Sequence, residues 1–213
     1  MPACVSESLV LRTYPLKEAD LIVSFLARDQ GRLRGVARRA RRPKNPFGSG
    51  LERLSHVKMY YFQPETRELV NLDSCELICS QFTLASDYAV GVALDFFAEV
   101  SEQVLPPAEP NERFFRLLLA VLDYLRARRG EGVWQAVMYF ALWSVKLSGI
   151  LPELRVASDS RAIAAEMLRT PLEQLIPRQW TRETAADLRR FLVRGIEEHI
   201  ERKLITVPLL EGL

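Results

Sequence analysis

Up to about residue 80, apolar and polar positions alternate in short blocks. The segments "SLVLRTY", "LIVSFLA", "RLRGVAR", "HVKMYYF" and "ELVNLDSCELI" are rich in β-branched and aromatic residues, and "DQG", "RRPKNPFGSG" and "QPETR" between them carry turn chemistry. Five such strands with no helical pattern between them predict a small antiparallel barrel or sandwich. Beyond residue 82 the period becomes that of a helix. Val90, Leu94, Phe97 and Val104 fall at helical spacing, as do Phe114, Leu118, Val121, Leu122 and Leu125 behind a natural N-cap at Asn111. A third apolar face runs through Trp134, Val137, Met138, Ala141 and Val145 and meets a stop at Gly149 and Pro152. "SDSRAIAAEML" predicts a shorter helix, and Thr170, Pro171 and Glu173 have the pattern of a capping box with proline in the first turn. A last helix is expected from about Thr181, with Leu188, Leu192, Ile196, Ile200 and Leu204 in one row beside Phe191. The pattern predicts an α+β chain, with a β domain over residues 1–80 and an all-α bundle of five or six helices over residues 81–213.

Composition makes both domains plausible as folded units, since 213 residues at 48% hydrophobic content can bury a real core. The longest apolar stretch, "VWQAVMYFALWSV", is shorter than the roughly 20 residues of a membrane span and reads as a buried helix. Three cysteines, an odd number, and an N-terminus without an apolar leader core point to a reducing cytoplasm.

Charge changes the picture more. The chain carries a net +2, yet residues before 80 hold 13 Lys and Arg against 9 Asp and Glu, whereas those after hold 16 against 18. The basic character is local. Between Arg32 and Lys44 there are seven cations and no acid: Arg32, Arg34, Arg38, Arg39, Arg41, Arg42 and Lys44. On a strand over residues 32–38, side chains alternate, so Leu33, Gly35 and Ala37 point one way and Arg32, Arg34 and Arg38 the other. Arg39, Arg41, Arg42 and Lys44 then fall on a loop punctuated by prolines and glycines. A solvated charge run is the alternative, but it would be served as well by lysine. Arginine favours bidentate phosphate contacts and stacking. In "HVKMYYF", Lys58, Tyr60 and Phe62 share one strand face and could offer a stacking platform beside a cation, or could lie under the helical domain.

Other constellations lack the chemistry they would need. Cys75 and Cys79 have no second pair for a tetrahedral zinc site and read as small core residues. Glu18 and Asp20 sit at a turn, where hairpin polarity or an ion pair with a nearby arginine explains them. No Walker A, G-x-S-x-G or H-E-x-x-H pattern occurs, so no enzyme, cofactor or metal is expected. Arg126, Arg128 and Arg129 end a helix, where cations are favoured, and are candidates for a secondary contact with DNA or a partner. His199 late in the last helix offsets its dipole, and Arg189, Arg190 and Arg194 are accompanied by Glu197, Glu198 and Glu201.

The stretch from "LVLRTYPLKEADLIVSFLARDQGRLRGVARR" to "HVKMYYF" resembles the start of the RecO family of bacterial recombination mediators. The shared features are Glu18-x-Asp20 before a second strand, a "GRL" turn and a basic segment ending near Phe47-Gly48. "EPNERFFRLLLAVLDYL" and "FALWSVKLSGILPEL" resemble the same family's helical portion. The resemblance implies an N-terminal five-stranded OB-fold and a C-terminal helical domain, without catalysis. It implies binding to single- and double-stranded DNA, strand annealing, and work with RecR and single-stranded DNA-binding protein to load RecA, in a cytoplasmic protein that joins the nucleoid during repair. Two departures stand out. Arg38-Arg39 replaces a frequent Lys-Gly, and the four-cysteine zinc module that many members carry after the segment matching "GILPEL" is absent. Competing readings are an adaptor whose barrel binds an acidic protein, and an RNA-binding OB protein.

Overall fold

The computed structural model describes residues 3–63, 68–128 and 131–213. Five strands, β1 (Ala3–Leu16), β2 (Asp20–Ala27), β3 (Gly31–Ala37), β4 (His56–Phe62) and β5 (Val70–Cys79), close into a barrel of order β1-β2-β3-β5-β4. The long β1 makes closure possible: Ser8–Leu16 pair with β2, and Ala3–Leu9 pair with β4. Inward positions follow the expected alternation, so Val57, Met59 and Tyr61 of β4 join Val10, Val23 and Phe25 in the core. One pairing corrects the antiparallel expectation, because β3 and β5 run parallel through Gly35↔Val70 and Ala37↔Leu72. This is the strand arrangement of the OB-fold. Gly35 permits it, since a Cβ there would come within 2.7 Å of the Leu72 and Val70 side chains.

The chain divides into two compact units, Met1–Thr83 with Leu105–Phe115, and Leu84–Val104 with Arg116–Leu213. In the first unit, Gly31 lets the segment after residue 104 lie against the β2–β3 turn. Its φ is +73°, and a Cβ would fall 2.0 Å from the Glu109 carbonyl oxygen. The Ala108 N–H donates to the Arg32 carbonyl at 2.9 Å.

The helices are α1 (Tyr88–Val104), α2 (Glu112–Ala127), α3 (Val133–Leu147), α4 (Ser158–Met167), α5 (Ala186–His199) and the short α6 (Val207–Glu211). Asn111 caps α2, its Oδ1 accepting from the Phe114 N–H at 3.0 Å. Phe96, Phe97 and Phe140 pack ring against ring between α1 and α3, the closest centroids 4.6 Å apart. Buried Glu99 accepts the N–H groups of Ile205 and Thr206 and the Thr206 hydroxyl, which fixes the approach to α6. Arg189 lies almost wholly buried against Trp134, 4.6 Å from its ring centroid, and makes two hydrogen bonds to the Glu211 carboxylate.

Two helix expectations need correction. The capping box at Thr170 does not form: Pro171 is extended, with ψ 149°, and Leu172–Gln174 make a single 3₁₀ turn without a side-chain cap. The Thr170 N–H is still bound to the Glu166 carbonyl at the end of α4, and Pro177 disfavours a helix at the residue before it. The last helix starts at Ala186 rather than Thr181, because Ala185 takes a left-handed backbone, φ 50° and ψ 39°, that breaks the helical path before it. Leu204 lies beyond its end yet is buried.

Candidate nucleic-acid interface

The basic segment begins on β3. Gly35 and Ala37 are buried, Leu33 packs partly on the core, and Arg34 is exposed, so the alternation holds. Arg32 has a different environment: it is half-buried, and its Nε donates to the Leu105 carbonyl at 2.8 Å. Beyond Ala37 the chain turns, and Arg38, Arg39, Arg41, Arg42 and Lys44 are all exposed.

This loop is anchored at both ends. At its start, Asp20 Oδ1 accepts the Arg39 N–H at 2.8 Å and the Ala19 carbonyl accepts the Arg41 N–H at 3.0 Å. Asp20 thus acts through the Arg39 backbone rather than through an ion pair. Arg39 has a φ of +56°, the left-handed conformation that glycine takes without strain. At its end, Asn45 Oδ1 accepts the N–H groups of Phe47 and Gly48, and Phe47 inserts into the barrel core. The result is a cationic loop whose backbone is tied to the β1–β2 turn and to the core.

Lys58, Tyr60 and Phe62 point away from the core, as the strand pattern predicts, but acids accompany them. Lys58 lies opposite Glu7 on β1 and Glu76 on β5. Its Nζ sits 5.4 Å from the Tyr60 centroid and 3.9 Å from Glu76, and the Tyr60 hydroxyl donates to Glu76 at 2.7 Å. The Tyr60 hydroxyl and then Glu76 hold the lysine pKa above its ordinary value. This group borders the N-terminal half of β1, whereas the cationic loop is tied to the turn after its C-terminal end.

Sequence reasoning missed Arg12 and Tyr14. The guanidinium carbons of Arg12 and Arg34 lie 5.3 and 5.8 Å from the Tyr14 centroid. The available signal was the Arg-x-Tyr spacing, which puts both side chains on one strand face.

At the end of α2, Arg126 pairs with Asp123 at 2.6 Å and Arg128 lies over the Tyr124 ring at 5.2 Å, while Arg129 lies outside the described residues. Among the described residues, no group of three or more His, Cys, Asp or Glu side chains could hold a metal ion. Cys75 packs on the barrel core, and burial pushes its thiol up to about 11. No helix among the described residues is long and apolar enough to cross a membrane.

Family comparison agrees with both halves of this architecture. The model described as Recombination protein O N terminal matches residues 1–81, and Recombination protein O C terminal matches residues 85–166. The chain belongs to the RecO family. A DNA repair protein RecO from Koribacter versatilis is 41% identical over 98% of both chains. Its namesake from Cutibacterium acnes is 32% identical over 72% of this chain and 64% of its own. That from Bifidobacterium longum subsp. infantis is 27% identical over 97% of this chain and 98% of its own. Membership assigns the chain to a family of DNA repair and recombination proteins, and the RecO barrel is the part that carries the cationic loop.

Proposed function

We propose that this protein is a non-enzymatic recombination mediator. It binds single- and double-stranded DNA, anneals complementary strands, and with RecR helps load RecA onto DNA coated by single-stranded DNA-binding protein. It works in the cytoplasm, at the nucleoid during repair. The observation that carries this reading is the anchored loop with Arg38, Arg39, Arg41, Arg42 and Lys44 exposed together. Such a loop offers guanidinium forks to a phosphate backbone without reading bases, which suits a protein that acts on any sequence. The named protein partners rest on family membership.

The test is a titration of the Arg38→Ala, Arg41→Ala, Arg42→Ala triple variant against single-stranded DNA at several salt concentrations. Each lost phosphate contact removes about 0.7 from the salt slope, so a slope flatter by about 2 is expected, with weaker binding and slower annealing in the absence of ATP. An unchanged slope, or annealing that needs nucleotide hydrolysis, overturns the proposal. A protein that binds an acidic polypeptide but no DNA would be the adaptor instead, and one that prefers RNA of the same sequence would be an RNA-binding barrel.

A further inference from the structure

A bulge in β1 changes which residues the barrel shows to solvent. Val10 pairs with Phe25 and both face the core, but the next pair is Arg12 with Ser24, and Leu11 is the extra residue between them. Uninterrupted alternation from Val10 would have sent Arg12 and Tyr14 inward. The bulge turns both outward, one of the ways bulges re-aim side chains at functional surfaces. Ser24 is the cross-strand partner of Arg12 on one side and of Arg34 on the other, so the two arginines flank one small residue. In the next row on the same face Tyr14 pairs with Ile22, and Ile22 with Val36. The two guanidinium carbons lie 5.3 and 5.8 Å from the Tyr14 centroid, within the range of a cation–π contact.

We propose that the Arg12–Tyr14–Arg34 cluster is a base-stacking site for single-stranded nucleic acid, distinct from the phosphate-binding loop. Like the loop's assignment, it rests on the nucleic-acid reading above. Arg12 and Arg34 are exposed and Tyr14 is half-exposed between them, and aromatic rings and guanidinium planes are the groups on which unpaired bases stack, accepting every base because each has a π-face. Bases inside a duplex are already stacked on one another and offer no face to the ring. The cluster therefore discriminates single strands from duplex, while the loop's cations bind the backbone of either. Three steps along β3, about 10 Å at the strand rise, lead from Arg34 to Ala37, where the cationic loop begins, so one strand of nucleic acid can engage both.

The full-length protein is titrated by fluorescence anisotropy with labelled oligo-dT, an abasic strand of equal length and a duplex. The wild type binds oligo-dT more tightly than the abasic strand. In Tyr14→Leu the ratio of oligo-dT to abasic affinity falls roughly tenfold, the size of one lost stacked base, and the ratio of oligo-dT to duplex affinity falls with it. Tyr14→Phe restores both ratios, and the salt slope on oligo-dT stays at its wild-type value in both variants. If Tyr14→Leu leaves the ratios unchanged, or if it weakens all three probes alike, the stacking site is refuted while the loop's role stands. If the wild type binds none of the probes, the mediator reading falls and the stacking site with it.

Discussion

Arg39 holds a left-handed backbone at φ +56°, a conformation that glycine takes without strain. For a residue with a Cβ that conformation costs about 1–2 kcal/mol, part of it recovered here by the hydrogen bond from its N–H to Asp20. Arg39→Gly is expected to raise unfolding stability by roughly 0.5–1 kcal/mol, after allowing for glycine's greater freedom in the unfolded chain. The same change removes one exposed cation, and the salt slope of DNA binding should fall by about 0.7. Urea unfolding and a salt series on one variant thus give opposite signs, more stable and less tightly bound. Equal or lower stability would mean that the Arg39 side chain holds the loop by contacts of its own. The sequence marked this position as a departure, but the sign of φ depends on where Asp20 and Ala19 are brought.

At the scale of elements, β1 couples barrel closure to the start of α2. Glu7 accepts from Arg28 Nη1 at 2.8 Å and meets His56 Nε2 at 2.8 Å, and Arg28 also donates to Glu112 at 2.9 Å. Burial alone would raise the Glu7 pKa, but the hydrogen bonds from Arg28 and then His56 outweigh it and hold the carboxyl below its ordinary 4.5. A depressed carboxyl stabilises the fold fully above its unfolded value, and the contribution is lost as pH falls through the lower folded value. Glu7→Gln should cost about 1 kcal/mol at neutral pH, and the difference from wild type should shrink as pH drops from about 5 to about 3. Denaturant unfolding at several pH values checks this, and a pH-independent difference would assign the cost to packing. All five strands could be read from alternation and turn residues. The bulge after Val10 could not, because "LVLRTY" alternates equally well in either register and the choice is made by pairing with Ser24 and Phe25.

For the whole molecule, packing and hydrogen bonds hold the segment that follows α3. Ala164 and Met167 of α4 are buried, the Met167 carbonyl accepts from Trp143 Nε1 at 3.1 Å, and Asp187 of α5 accepts from the Ala157 N–H at 2.8 Å. Burial would raise the Asp187 pKa, but bonds from the Ser160 hydroxyl and backbone N–H groups lower it on balance. Purified protein is expected to contain no stoichiometric zinc by elemental analysis. A strong chelator should change neither Tm nor DNA affinity, whereas a structural zinc is worth on the order of 10–16 kcal/mol to a small module. One tightly bound zinc per chain would overturn this.

The sequence by itself determined the two classes of structure, the faces of β3 and β4, the Asn111 cap and the acid-free run of cations. Each of these depends on residue type and on a period of two or about 3.6, which act within a few neighbours. Tertiary structure alone decided the parallel β3–β5 pair, the turning of Arg12 and Tyr14 towards Arg34, and the drawing of Arg32 into a bond with Leu105. It also decided that Leu105–Phe115 joins the barrel unit and that Lys58 and Tyr60 keep company with Glu7 and Glu76. These arrangements unite residues from distant parts of the chain, and the free energy that selects among them comes from closing and packing the barrel as a whole.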